Sequence, residues 1–230
     1  MKEILRDKEE EINRLNHIIE KIIKKADCPI VIDADGINAL CRRINIIREA
    51  KKEIILTPHP GEMARLCSTT VENIQADRIG HAKAFAEKYE CTLVLKGYQT
   101  VIAHPDGSVF VNTSGSDALS TGGSGDVLAG VIASLTAQGY SEKEATAIGV
   151  YVHGLAAERL SEKYGKSGVI PSDLPWLSQA LPPWVFLPFI TIFMNSIPLC
   201  IKRFTKSHIF SSFICTKKLT IYTISNRQNN

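Results

Sequence analysis

A chain of 230 residues with 44% apolar residues is long enough to bury the core of a globular domain. The formal net charge of +3 averages two unlike parts, because every Asp and Glu lies before residue 181 and residues 1–180 are slightly acidic. That balance argues against a nucleic-acid-binding surface on the main part of the chain.

Helices and strands alternate along the predicted fold. In chain order we predict a helix at 1–27, a strand at 29–32, a helix near 37–50, a strand at 53–57, helices at 62–66 and 71–89, strands at 92–97, 100–103 and 108–111, and helices at about 126–137 and 141–160. The strands are short apolar runs, and the helices carry apolar residues three or four apart. This alternation predicts an α/β fold with a mainly parallel sheet and helices on its faces.

Three of these elements carry more specific expectations. The helix at 1–27 is expected to cover the sheet, with a short coiled coil as the alternative. The turn at 105–107 predicts that the strands on either side of it form a β-hairpin. In the helix at 71–89, one face is expected to be buried, comprising Ile74, Ile79, Ala82 and Phe85.

The segment 182–230 differs from the rest of the chain, since it is rich in Phe and basic residues and has no acidic residue. It approaches the length of a membrane span, but several prolines make it a poor helix. A membrane anchor, a packed extension and a tail from a shifted reading frame are the three interpretations. The composition favours the last, so we expect this segment to lie outside the domain and membrane attachment to be absent.

The strongest chemical signal is the glycine-rich loop Gly122, Gly123, Ser124 and Gly125, followed by Asp126 at a predicted helix start. Glycines permit tight turns, and the first turn of a helix offers free N–H groups and partial positive charge to an anion such as phosphate. Asp126 could accept a proton from a substrate hydroxyl. An ordinary capping aspartate after a flexible loop is the alternative.

Residues 122–130 resemble the phosphate-binding and catalytic loop of the ribokinase-like superfamily. With the ordered stretches at 31–40, 56–62, 95–100 and 112–115, the region 28–181 is similar to the ADP-dependent NAD(P)H-hydrate dehydratase family. The resemblance implies a three-layer αβα sandwich. It also implies a repair reaction in which NADH hydrate or NADPH hydrate, in the S form, is dehydrated to NAD(P)H. The added hydroxyl is phosphorylated by ADP (or ATP) with Mg²⁺, and phosphate elimination follows.

The resemblance also implies residue roles. Asp126 matches the base that contacts the hydrate hydroxyl, and His59 matches a hydrate-binding position, with a turn histidine of no role as its alternative. No metal site made of protein side chains alone is implied. The nucleotide-binding positions are Lys96, Gly97, Tyr98, Gln99, Thr100, Gly122, Gly123, Ser124 and Gly125.

Other polar residues have open roles. Asp33 and Asp35 end a strand, where function and turn capping are equally good interpretations. His153 is expected in the core or on the surface rather than as a ligand. The six cysteines show no zinc spacing, and their scattering without a signal peptide predicts a cytoplasmic protein. A homo-oligomer is also expected.

Family domains begin well before the point that matches Met1, so we expect an N-terminally truncated, incomplete sheet and part of the hydrate pocket to be missing. Weak ADP binding and little turnover would follow for residues 1–230 alone. Two alternatives to the dehydratase remain open. One is a ribokinase-like small-molecule kinase, and the other is a non-catalytic fragment that binds nucleotide weakly or pairs with a complementary fragment.

Overall fold

The computed structural model describes residues 2–174, 213–215 and 220–222. Its α-helices are α1 (Lys2–Lys25), α2 (Ala34–Leu40), α3 (Pro60–Leu66), α4 (Val71–Ala76), α5 (Arg78–Tyr89), α6 (Ser124–Ala137) and α7 (Glu142–Tyr164). Its strands are β1 (Ile30–Ile32), β2 (Ile54–Leu56), β3 (Thr92–Leu95), β4 (Val101–Ala103), β5 (Val109–Val111), β6 (Phe213–Cys215) and β7 (Thr220–Tyr222). Short 3₁₀ helices lie at Ile44–Glu49, Asp117–Ser120 and Lys166–Gly168.

The strands form one sheet in the order β5-β4-β3-β2-β1-β6-β7. The three central strands, β1, β2 and β3, run parallel, whereas every pair outside them is antiparallel. The predicted β4–β5 hairpin is confirmed. The mainly parallel sheet that we expected is therefore found only at its centre, because a tight hairpin reverses the chain while a parallel pair requires a crossover.

Both faces of the sheet are covered, which gives the predicted three layers. Ile30, Ile32 and Leu56 point to the face that α1, α2, α3 and α5 cover, in a core that includes Ile23, Ile37, Met63 and Phe85. Their neighbours Val31 and Ile55 point to the opposite face, where α6 and α7 contribute Leu128, Ile132 and Val150. Strand side chains alternate between faces, so a fully apolar run can fill both cores at once.

The helix predicted at 71–89 is in fact two helices. The chain turns at Asp77, whose carboxylate accepts a hydrogen bond of 2.8 Å from the N–H of Gly80 and so begins α5. Ile79, expected on the buried face, is 50% exposed as a result. The helix predicted near 37–50 likewise consists of α2 and a separate 3₁₀ helix, Ile44–Glu49.

Two strands from the segment 182–230 join the sheet. β6 pairs antiparallel with β1, placing Ile30 opposite Cys215, and β7 pairs with β6. At these six residues the structure differs from our expectation that the segment lies outside the domain, because the β1 edge offers backbone groups that a further strand can pair. The rest of 182–230, including the possible membrane anchor, lies outside the described residues. In the part of the chain that is described, no helix has the length and apolar character of a membrane span.

Candidate active site

The loops that follow β1, β2 and β3 bring three of the polar residues together at the carboxyl ends of these strands. Asp33 follows β1, His59 follows β2 and Lys96 follows β3. The backbone joins them, since Thr57 N–H donates to Ile32 O at 3.2 Å and Lys96 N–H donates to Pro58 O at 2.8 Å. Carboxyl ends of adjacent parallel strands are where α/β proteins bind ligands.

Asp33 and Lys96 form a buried ion pair at this edge. Lys96 Nζ donates to Asp33 Oδ1 at 2.7 Å, and the side chains are 20% and 3% exposed respectively. Asp33 precedes α2, but its side chain does not bond to the backbone of that helix. The capping interpretation is therefore wrong for Asp33, whereas Asp35 lies in the first turn of α2. A charge pair held at a strand edge supplies a fixed electrostatic field to anything bound beside it.

The glycine-rich loop ends where α6 begins, at Ser124, two residues earlier than predicted. Gly123 adopts a left-handed backbone with φ +98°, which favours glycine, and the Ser124 hydroxyl donates to Leu119 O at 2.5 Å. The N–H groups of Gly125 and Asp126 have no acceptor among the described residues. A methyl group added to Gly122 would meet no atom within 4 Å. The loop thus combines free donors with open space, as an anion site requires.

Gly125 brings this loop into contact with the ion pair. A Cβ atom at Gly125 would lie 3.3 Å from Lys96 Nζ and 3.4 Å from Asp33 Oδ2. The helix start therefore packs beside the two charged side chains, with little more room at Gly125 than one methyl group would fill. This tertiary contact joins loops that lie far apart in the sequence.

Asp126 lies at the mouth of this arrangement and remains open to solvent on one side. Its pKa is raised, mainly because protein displaces part of its water shell and secondly because the Asp33 carboxylate repels it, while Lys96 acts in the opposite direction. Its carboxylate makes no hydrogen bond or ion pair within the described ranges. A carboxylate with a raised pKa and free oxygens is suited to accepting a proton.

His59 has a structural role. It precedes α3, and its Nδ1 accepts hydrogen bonds from Gly61 N–H at 3.0 Å and Glu62 N–H at 3.3 Å. The Glu62 carboxylate completes the capping box by accepting from His59 N–H at 2.8 Å. The alternative of a turn histidine with no role is therefore incomplete, because the ring caps a helix while half of it stays exposed.

Sequence reasoning missed Glu62. It is buried, and its pKa is raised chiefly by desolvation, with Lys96 opposing that shift. Its position three residues after His59 is the capping-box spacing, and that spacing was the signal available in the sequence.

The residues Lys96, Gly97, Tyr98, Gln99 and Thr100 form the loop between β3 and β4. Lys96 faces Asp33 and Gly125, whereas Tyr98 is 87% exposed. The structure therefore places Lys96 beside Asp33 and Gly125, and close enough to Asp126 to lower its pKa. Tyr98 does not contact these residues. Arg78, which sequence reasoning also missed, donates from α5 to the carbonyls of Tyr98 and Gln99 in this loop.

His153 is a core residue, as expected. It lies buried in α7, and its Nε2 has no hydrogen-bond partner among the described residues. Burial lowers the pKa of His153 to about 4. The ring is thus neutral at physiological pH.

The sequence matches that of known proteins. A family model described as Carb_kinase, NAD(P)H-hydrate dehydratase, matches residues 9–179. The ADP-dependent (S)-NAD(P)H-hydrate dehydratase of Neisseria meningitidis serogroup B is 44% identical over 156 residues, which cover 66% of this chain and 53% of that protein. The chain therefore spans about half the length of this relative.

Solved structures give the same result. The ADP/ATP-dependent NAD(P)H-hydrate dehydratase from Bacillus subtilis, co-crystallized with ATP and Mg²⁺, is 36% identical with a TM-score of 0.59, over 69% of this chain and 57% of that one. A ribokinase-like superfamily protein from Enterococcus faecalis V583 is 27% identical with a TM-score of 0.58, over 74% and 57% of the two chains. Since the family model covers most of the chain, including every motif around the Asp33–Lys96 pair, the chain belongs to the NAD(P)H-hydrate dehydratase family.

Proposed function

We propose that this chain acts in the ADP-dependent dehydration of the S forms of NADH hydrate and NADPH hydrate, restoring NAD(P)H. The observation that carries the proposal is the start of α6, where the N–H groups of Gly125 and Asp126 have no acceptor among the described residues and where Gly125 packs beside the Asp33–Lys96 ion pair. Phosphoryl transfer needs positioning and positive charge more than covalent chemistry, and this place offers both. The activities for which the similar proteins are named support the same reaction.

The residues fit the phosphates of ADP or ATP. The N–H groups at the start of α6 and the open space beside Gly122 would hold phosphate oxygens, and Lys96 would place a positive charge beside them. Bound nucleotide supplies a phosphoryl group that turns the hydrate hydroxyl into a better leaving group. In the described part of the chain no cluster of three metal-ligating side chains occurs, so Mg²⁺ would bind largely through phosphates.

Asp126 would accept the hydroxyl proton at its carboxylate. Its oxygens have no partner within the described ranges, and its raised pKa makes it a stronger base than an ordinary aspartate once it is ionised. Lys96 opposes the repulsion from Asp33 and so favours the ionised form of Asp126. His59 would contact the hydrate with the exposed part of its ring while its Nδ1 stays bound to the start of α3.

The nucleotide would also bind to the 96–100 loop. The N–H groups of Gly97, Tyr98, Gln99 and Thr100 have no acceptor in the described part of the chain. Four consecutive free donors suit acceptor atoms of a nucleotide. A homo-oligomeric state and a cytoplasmic location stay predictions.

A non-catalytic, nucleotide-binding fragment is the second candidate. The two candidates differ in turnover but share nucleotide binding. The kinase alternative differs in its substrate, since it would phosphorylate a hydroxyl without eliminating phosphate.

The test is recovery of reduced-nicotinamide absorbance from NADH hydrate in the presence of ADP and Mg²⁺. It should be run with residues 1–230 and with a fusion that adds the preceding segment of a relative. We expect turnover by the fusion, and Asp126→Asn should lower its rate by about 10²- to 10⁴-fold while ADP still binds. Asp117→Asn is the matched control, since Asp117 forms only an exposed ion pair with Lys166.

Full activity of Asp126→Asn would remove this residue from the mechanism. Phosphorylated hydrate that accumulates without NADH would favour the kinase. ADP binding with no turnover by either protein would favour the non-catalytic fragment. Comparable rates from the two proteins would show that residues 1–230 are sufficient.

A further inference from the structure

Arg78, the first residue of α5, holds the 96–100 loop by its backbone. Its Nη2 donates to Leu95 O at 3.0 Å, and its Nη1 donates to Gln99 O at 3.3 Å and also to Tyr98 O. A single guanidinium thus binds the last carbonyl of β3 and two carbonyls of the loop that follows it. Planar, rigidly spaced donors make arginine suited to such multiple contacts.

The loop needs this support because its backbone is unusual. Gln99 adopts φ +54°, in the left-handed region, where a residue with a side chain is strained. Gly97 adopts φ +147°, and a Cβ atom there would lie 2.9 Å from Arg78 Nη2. The absence of a side chain at Gly97 is thus what lets the guanidinium approach.

The contacts of Arg78 also decide where the N–H groups of the loop point. In a trans peptide the carbonyl of one residue and the N–H of the next point in opposite directions. Since the carbonyls of Tyr98 and Gln99 point to Arg78, the N–H groups of Gln99 and Thr100 point away from it. Neither N–H group has an acceptor among the described residues.

Arg78 itself is a structural contact rather than a surface charge. Its Nε is buried without a hydrogen-bond partner in the described part of the chain. Burial lowers the pKa of its guanidinium, yet an arginine remains charged at any physiological pH. An anion is therefore not needed to explain its position, because three carbonyl dipoles already surround it.

We propose that Arg78 is a positioning residue for nucleotide binding, which holds the loop so that the Gln99 and Thr100 N–H groups stay free for a nucleoside diphosphate. The inference rests on the proposed function, since it takes the 96–100 loop as part of the nucleotide site. Arg78 does not touch the reacting atoms and acts through the loop alone.

The test is calorimetric titration of ADP with Mg²⁺ into residues 1–230 and into the fusion that adds the preceding segment of a relative. Arg78→Met removes all three contacts, and we expect it to raise the Kd for ADP roughly ten- to a hundredfold, as misplacement of binding groups does. Arg78→Lys keeps the charge but not the fork, so its Kd should lie between those of Arg78→Met and the wild type. Arg48→Met is the control, since Arg48 pairs only with Glu90 on the surface.

Two measurements separate positioning from misfolding. Methylguanidine added to Arg78→Ala should restore part of the ADP affinity, which a merely unfolded chain would not recover. Trypsin should cleave after Lys96 faster in Arg78→Met than in Arg48→Met, and this readout does not depend on nucleotide. If Arg78→Met fails to fold, Arg78→Lys and the methylguanidine rescue decide the question.

The outcomes separate the inference from the proposed function. If the wild type binds ADP and Arg78→Lys or a folded Arg78→Met binds it equally well, the positioning role is wrong while the proposed function stands. If neither residues 1–230 nor the fusion binds ADP, both fail. Weakened binding by Arg78→Met together with rescue by methylguanidine supports the inference.

Discussion

Replacing Asp33 by Asn tests the ion pair on which the candidate site depends. The change preserves shape but removes the charge that faces Lys96 Nζ at 2.7 Å. Breaking a buried ion pair by removing one partner costs about 3–5 kcal/mol of the free energy of unfolding. We expect the lower end of that range, because 20% of the Lys96 side chain is exposed and the carboxylates of Glu62 and Asp126 also attract its charge. We expect a loss of about 3 kcal/mol.

Thermal unfolding followed by circular dichroism measures this loss. For a chain of this length each kcal/mol shifts the Tm by about 2–4 °C, so Asp33→Asn should lower it by roughly 6–12 °C. Lys96→Met in the same chain should recover most of that loss, because no buried charge is then left unpaired. Asp35→Asn is the control and should change the Tm little, as Asp35 makes no hydrogen bond or ion pair within the described ranges.

The same variant should also change Asp126. Asp33 helps to raise the pKa of Asp126 and Lys96 helps to lower it. Removing Asp33 while keeping Lys96 therefore lowers the pKa of Asp126, and an acid limb of activity that depends on ionised Asp126 moves to lower pH. Carbon NMR titration of the Asp126 carboxyl group detects this directly. An unchanged Tm together with an unchanged Asp126 titration would refute the buried pair as the organising contact of the site.

Two further predictions use other contacts. Gly125→Ala should weaken ADP binding about tenfold by pressing a methyl group on Lys96 and Asp33, without loss of helix stability, and Gly130→Ala, which meets nothing within 4 Å, should leave calorimetric ADP affinity unchanged. The pKa of His153 is lowered from 6.5 to about 4, so below about pH 6.5 the unfolded chain takes up a proton that the folded chain does not. The free energy of unfolding, measured with urea, should therefore fall by on the order of 3 kcal/mol between about pH 6.5 and 4. His153→Gln should remove that pH dependence. If the wild type and His153→Gln lose stability in parallel, other groups cause the pH dependence.

The local elements follow from the sequence alone. The apolar run before Asp33 predicts β1, the prolines around His59 predict the end of β2, and the glycines before Asp126 predict the start of α6, each within two or three residues. The spacing of apolar residues, the stiffness of proline and the missing side chain of glycine each act over a few residues, so these elements can be predicted without knowing the fold. The ordered motifs also identify the family without tertiary information.

Tertiary structure alone decides which of these residues meet. Asp33 and Lys96 are 63 positions apart, and Arg78 lies 17 to 21 positions from the carbonyls it binds. No local pattern encodes those pairs, because they depend on β1, β2 and β3 being neighbours in register and on α5 packing beside the β3–β4 loop. The break of the predicted 71–89 helix at Asp77 is local by contrast, since capping by the Asp77 side chain outweighs continuous helix periodicity. The sequence thus supplies the charged residues of the site, while the order of the strands in the sheet determines which of them come into contact.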